Sequence, residues 1–189
     1  MTSCSGLSGL ELFGSARNRG LELFGSARNG GLELLGSARK RGRMDLNNLR
    51  EHFELLDDQD ERYRYLIDLG KRLPPMPPEL KTDHTKVDGC LSQVWLYARA
   101  EGEGAGQAMR FLADSDAILV RGLIAILMIA YEGHHPADIA SKDLRNLFDE
   151  LGFATPVSMN RRNGFSAMVQ RIQAEAKSAL NLASRGESA

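Results

Sequence analysis

From residue 44 onward the apolar positions recur at spacings that predict helices, then a hairpin, then helices again. Leu46, Leu49, Phe53 and Leu56 fall on one face at helical spacing. An acidic break over 57–60 precedes a second helix over 61–69, for which Gly70 supplies a C′ position, Lys71 and Arg72 complement the dipole, and Pro74 and Pro75 prevent continuation. The run PPMPPEL over 74–80 reads as a stiff surface connector. Val94, Leu96 and Ala98 then alternate with Trp95, Tyr97 and Arg99, which is strand patterning. The glycine-rich 102–106 predicts a hairpin turn, 108–112 the returning strand, and 85–88 a short third strand.

The second half reads as helical. An apolar helix over 116–131 has Asp114 or Ser115 as its cap. Ser141 caps a helix over 142–151 that presents Leu144, Leu147, Phe148 and Leu151, and Gly152 closes it. After a loop over 155–163, a last helix carries Phe165, Met168, Val169, Ile172 and Ala176, and a tail over 184–189 frays. The expected fold is α+β: a small antiparallel sheet of about three strands, with helices packed on one face, spanning 44–183.

Residues 1–43 break this pattern. Eleven-residue copies succeed one another almost unchanged: GLELFGSARNR over 9–19, GLELFGSARNG over 20–30 and GLELLGSARKR over 31–41. Solenoid repeats are longer and vary at their surface positions, and at least two glycines per copy oppose a stable helix. An interaction arm or a targeting extension is one reading, although Glu11, Glu22 and Glu33 are unwelcome in a transit peptide. The preferred reading is a disordered extension created by duplication, with Met44 as the initiator of the working domain.

Charge and cysteine content narrow the function classes. Of the net charge of −1, residues 1–43 carry +4 and the remainder −5, so the body is mildly acidic. That gives no basic face for nucleic acid. The longest apolar stretch, 117–131, is interrupted by Arg121 and Gly122 and falls short of the ~20 residues a bilayer span needs. No membrane partner is expected, and the chain reads as cytoplasmic. Cys4 and Cys90 make no disulfide framework, and His52, His84, His134 and His135 stand in no metal-ligand spacing with them. No metal and no cofactor are expected. A phosphate loop is missing too, because the glycines of 102–106 join strands instead of opening a helix.

The residue left to carry chemistry is Cys90, in VDGCLSQVW over 87–95. Gly89 lets the backbone turn sharply just before it, and a strand starts soon after. On the residues alone, a lone cysteine reads either as a small buried hydrophobe or as an accessible thiol able to attack sulfur and later release it. No base is placed beside it by local sequence. His134 and His135 read as an exposed helix end.

Four blocks in order resemble the SufE family: RYRYLIDLGKRLP over 62–74, VDGCLSQVW over 87–95, DSDAILVRGLIA over 114–125 and NRRNGF over 160–165. The resemblance runs from about residue 46 to 176 and implies a SufE/NifU-like fold. By that resemblance the chain is not an enzyme with its own turnover. It would accept sulfane sulfur as a persulfide on Cys90 from a pyridoxal-phosphate cysteine desulfurase of the SufS or CsdA type. It would stimulate that enzyme and pass the sulfur to a downstream acceptor, such as a scaffold for iron–sulfur cluster assembly. Arg161 matches an arginine near the cysteine loop, where a cation would favour thiolate or persulfide. Gly89, Leu91, Asp114 and Asp116 match positions near the partner surface, and Leu91 departs from the polar residue some members carry. The rival readings are a regulatory desulfurase-binding module and a free-standing thiol sulfurtransferase.

Overall fold

Two glycines set a close backbone contact between the second and third helices. The computed structural model describes residues 44–153 and 159–186, so the expectations for 1–43, for the loop over 155–158 and for the end of the tail lie outside the described residues. Helix α1, Leu46–Glu54, starts at Asp45, whose side chain accepts from the Asn47 and Asn48 N–H groups at 2.9 Å. It buries Leu46, Leu49 and Phe53 as its periodicity predicts. Helix α2, Gln59–Arg72, is capped by Asp58 and carries acidic residues in its first turn and basic ones in its last.

Helix α2 does not stop at Gly70, as the sequence suggests it should. Gly70 lies inside it, buried against helix α3, Ile118–Tyr131. A Cβ on Gly70 would stand 2.7 Å from Gly122 N, and one on Gly122 would stand 2.6 Å from Leu66 Cγ. The stop comes three residues later. Leu73 is extended, as a residue before proline prefers to be. Arg121 of α3 donates from Nη2 to the Leu73 carbonyl at 2.7 Å and from Nε to that of Gly70 at 3.3 Å, satisfying the end of the helix.

The sheet has two strands among the described residues. β1, Val94–Glu101, pairs antiparallel with β2, Ala108–Ser115, in a register running from Val94 opposite Ser115 to Glu101 opposite Ala108. The third strand expected at 85–88 shrinks to one bridge, Lys86 with Trp95. A turn held by Thr85 Oγ1, which accepts from Thr82 N at 3.0 Å, precedes it, and Gly89 at φ +85° diverts the chain after it. One face, with Val94, Leu96, Met109, Phe111 and Ala113, joins the core beneath the helices. This is the expected α+β arrangement.

The opposite face is covered at one point by the proline-rich connector, which ends in a 3-10 turn, Pro78–Leu80. Asp114, expected as a helix cap, is instead a buried strand residue at 3 % exposure. Its carboxylate pairs with Lys81 at 2.8 Å and with Arg121, and accepts from the Ser115 N–H at 2.8 Å. Lys81 also lies over the Trp95 ring, 5.2 Å from its centroid. Burial alone would push the Asp114 carboxyl up, but Lys81, the Ser115 N–H and Arg121 outweigh it and hold the group below its ordinary 3.8. Its stabilising contribution is therefore present above 3.8 and is lost as pH falls through the lower folded value. Asp114→Asn is expected to cost about 2 kcal/mol near neutral pH, because partly buried cations lose their anion. The gap between variant and wild type should close towards acid pH. Urea unfolding at several pH values measures it, and a gap that persists at low pH contradicts the ion-pair explanation.

Beyond α3, the helix expected over 142–151 is cut short. Helix α4, Pro136–Ser141, begins at His135, whose Nδ1 accepts from the Ala137 N–H at 3.2 Å; this histidine caps a new helix instead of closing the previous one. Ser141 ends α4 and caps no helix after it. The Lys142 carbonyl is taken by Tyr131 OH at 2.7 Å and Gln173 Nε2 at 3.1 Å, which leaves it unavailable to a helix. Only Leu147–Glu150 forms a turn of helix, α5, yet Leu144, Leu147, Phe148 and Leu151 are all buried as expected. Helix α6, Met159–Gly186, starts earlier than the loop predicted over 155–163 allows, so Arg161 and Arg162 are helical.

Candidate functional site: a thiol loop over an apolar cavity

The segment around Cys90 is a short loop tied down at both ends. Before it, Val87 N–H donates to the Val94 carbonyl at 2.9 Å. Arg171 of α6 donates to the carbonyls of His84 at 2.8 Å and Lys86 at 3.4 Å. After it, Gln93 is clamped to the β2–α3 junction: its N–H donates to Asp116 Oδ1 at 3.0 Å, and its carbonyl accepts from Ser115 Oγ at 2.7 Å. Residues 88–92 are left as the segment free to change course. Gly89 at φ +85° makes the turn, since side chains rarely tolerate that region.

Cys90 is half-buried, and its Sγ lies 3.5 Å from the Gly164 carbonyl of α6. Beside it opens a cavity of about 460 Å³, walled mainly by Ile118, Val120 and Leu123 of α3 and by Phe165 and Met168 of α6. Arg161 reaches the same cavity, whereas its neighbour Arg162 turns away to Asp149 at 2.6 Å, about 100° around the helix. Of the two arginines, Arg161 is the one that lines the cavity Cys90 also lines. Burial pushes the Cys90 thiol above its ordinary value, which disfavours the nucleophilic thiolate.

The other sequence candidates divide by exposure. Leu91 is 81 % exposed at the cavity mouth, and Gly89 and Asp116 are exposed as well. Asp114 is buried and does not reach this surface. Three contributors escape sequence reading: Gly164, Arg171 and Gln93. Gly164 carries no periodic signal, because residues 160–164 read NRRNG and the apolar pattern begins only at Phe165. The contacts of Arg171 and Gln93 join residues distant in sequence, and no local signal marks them.

Among the described residues, no cluster of His, Cys, Asp and Glu could hold a metal ion, and no helix is long and apolar enough to cross a membrane. The fold and the site define an α+β domain that presents a single thiol on a short loop over an apolar cavity. Residues 47–176 match SufE, the Fe-S metabolism associated domain. The chain belongs to the SufE family. It is 43 % identical over 132 residues to an uncharacterized SufE-like protein of Rhizobium etli, covering 70 % of this chain and 89 % of that one. It is 40 % identical over 130 residues to the sulfur acceptor protein CsdE of Escherichia coli, covering 68 % and 86 % respectively. In fold it is similar to a hypothetical protein of Thermus thermophilus known from a solution structure, with a TM-score of 0.59 and 22 % identity over 72 % of this chain and 96 % of that one.

Proposed function

We propose that this protein is a sulfur acceptor that takes sulfane sulfur onto Cys90 from a pyridoxal-phosphate cysteine desulfurase and hands it on for iron–sulfur cluster assembly. The observation that carries the reading is the placement of Cys90. It is the free thiol of the described residues, on a loop whose two roots are fixed and whose middle is not. The kinship with a sulfur acceptor protein of Escherichia coli supports it.

The exchange itself needs few groups. The Cys90 thiolate attacks the terminal sulfur of the desulfurase persulfide. A new S–S bond forms on Cys90, the old one breaks, and its electron pair leaves on the desulfurase cysteine as thiolate. No external oxidant or reductant enters, and the same step in reverse sense delivers the sulfur to the downstream acceptor. Burial disfavours the thiolate in the resting site, and outward movement of the loop relieves that burial for the attack. Segments of this kind open at much lower free-energy cost than core elements. Arg161 then offers the cation that favours the thiolate and the anionic persulfide. Gly89, Leu91 and Asp116 form the contact surface for the desulfurase, with Asp114 supporting it from beneath. The setting is the cytoplasm, where thiols remain reduced.

An assay of sulfide release with and without desulfurase tests this. The protein is expected to accelerate the desulfurase while turning over no small sulfur donor alone; independent turnover would favour a sulfurtransferase. The repeats should be dispensable. A chain beginning at Met44 is expected to stimulate the desulfurase as the full chain does, and Cys4→Ser should change nothing. A large loss in either assay would place residues 1–43 in the working protein.

A further inference from the structure

Helix α6 contains a glycine where alanine would be the better helix former, so its presence calls for a local reason. A Cβ on Gly164 would stand 3.3 Å from Cys90 Sγ and 3.7 Å from both Cys90 Cα and Cβ. One turn along, a Cβ on Gly89 would stand 3.4 Å from the Ala167 Cβ. Positions 164 and 167 share a helix face, so the loop lies across the two smallest side chains of that face. The contact at 164 is already closer than ordinary van der Waals packing allows for an added carbon, and the sulfur would have to give way.

We infer that Gly164 is a positioning residue for Cys90: its missing side chain makes a notch in α6 in which the thiol seats, and the depth of that notch sets the resting exposure of the sulfur. The inference rests on the reading of Cys90 as the sulfur-accepting thiol. In the seat, Sγ donates towards the Gly164 carbonyl at 3.5 Å, an arrangement available to a thiol and not to a thiolate. With the loop roots held by Arg171 on one side and by Asp116 and Ser115 on the other, any displacement of the sulfur is absorbed within 88–92.

The charged groups around the seat are few. Helix α6 contributes Arg161, α3 contributes only apolar side chains to the cavity wall, the loop itself carries exposed Asp88, and Asp116 stands at its root. A sulfur moved out of the notch therefore loses burial, and that loss favours the thiolate. The depth of the notch is in this way a control on reactivity that a purely structural glycine would not provide.

Gly164→Ala and Gly164→Leu, each in the full chain with Cys4→Ser, separate these possibilities. The rate of Cys90 alkylation by iodoacetamide is followed from neutral to alkaline pH, with circular dichroism to confirm that α6 persists. The alanine variant is expected to move the profile towards lower pH by about half a pH unit, which raises the alkylation rate at neutral pH about threefold. The leucine variant should move it further, because the cavity can take its side chain while the thiol cannot share the space. If both variants fold and alkylate with the wild-type profile, the notch does not set the reactivity of Cys90. Should leucine prevent folding, the alanine profile alone decides. No desulfurase enters this assay, so its failure and a failure of sulfur acceptance are seen separately.

Discussion

Cys90→Ser is expected to reduce stimulation of the desulfurase to background while leaving the fold and the binding of the desulfurase nearly unchanged. Serine is almost isosteric, and its hydroxyl can still donate to the Gly164 carbonyl where Sγ now does. The position is half-buried on a loop, so the stability cost should stay below about 1 kcal/mol. What disappears is the one property the exchange requires, a sulfur that attacks a persulfide and then carries the sulfane atom. Sulfide release measured in the presence of reductant, alongside affinity for the desulfurase, separates transfer from binding. Normal binding with full stimulation by the serine variant would mean that the protein acts by binding alone.

Gly122→Ala is expected to lose more stability than the same change at Gly70 or Gly106. In an exposed helix the same change would gain up to about 1 kcal/mol from propensity. Here the new Cβ would lie 2.6 Å from Leu66 Cγ and closer still to the Leu66 carbonyl oxygen, so backbone must move against backbone. Overpacking of this kind costs roughly 1–3 kcal/mol or more, and with helix backbones involved a net loss of about 3 kcal/mol outweighs the propensity gain. Gly70→Ala, with its nearest contact at 2.7 Å, should lose less. Gly106→Ala is the control, since nothing lies within 4 Å of the added carbon. Urea midpoints for the three variants test the ranking, and a Gly122→Ala midpoint at or above wild type would show that α2 and α3 do not cross this closely.

Gly70 shows where the sequence misleads. Trailed by two basic residues and two prolines it reads as a helix stop, but its real work is against Gly122, fifty-two positions later in the chain. Local rules see glycine as a breaker, and only the packed helix pair reveals that its missing Cβ is the reason for it. Asp114 misleads in the same way. Its sequence neighbours make it a plausible cap, and its partners Lys81 and Arg121 come from other elements. Ser141 fails as a cap because the Lys142 carbonyl is taken by Tyr131 and Gln173, and of the expected loop over 155–163 the described part, 159–163, is helical.

The legible part is equally physical. The core faces of α1 and the hairpin, and the buried run Leu144, Leu147, Phe148 and Leu151, are dictated by apolar periodicity, which burial enforces directly. Cys90 is legible as a residue type on a glycine turn, and the family resemblance gives it a role. Its seat on Gly164 and the anchoring of its loop by Gln93 and Arg171 are not, because these contacts join α6 and the β2–α3 junction to a distant loop.

The central claim is that sulfur comes to rest on Cys90. Intact-mass spectrometry of the full chain after incubation with the desulfurase and cysteine, combined with peptide mapping without reductant, reads this directly. The account predicts an increment of one sulfur atom, removed by thiol reductant and carried by the peptide containing Cys90. An unmodified chain, or sulfur carried by Cys4 with none on Cys90, would contradict it.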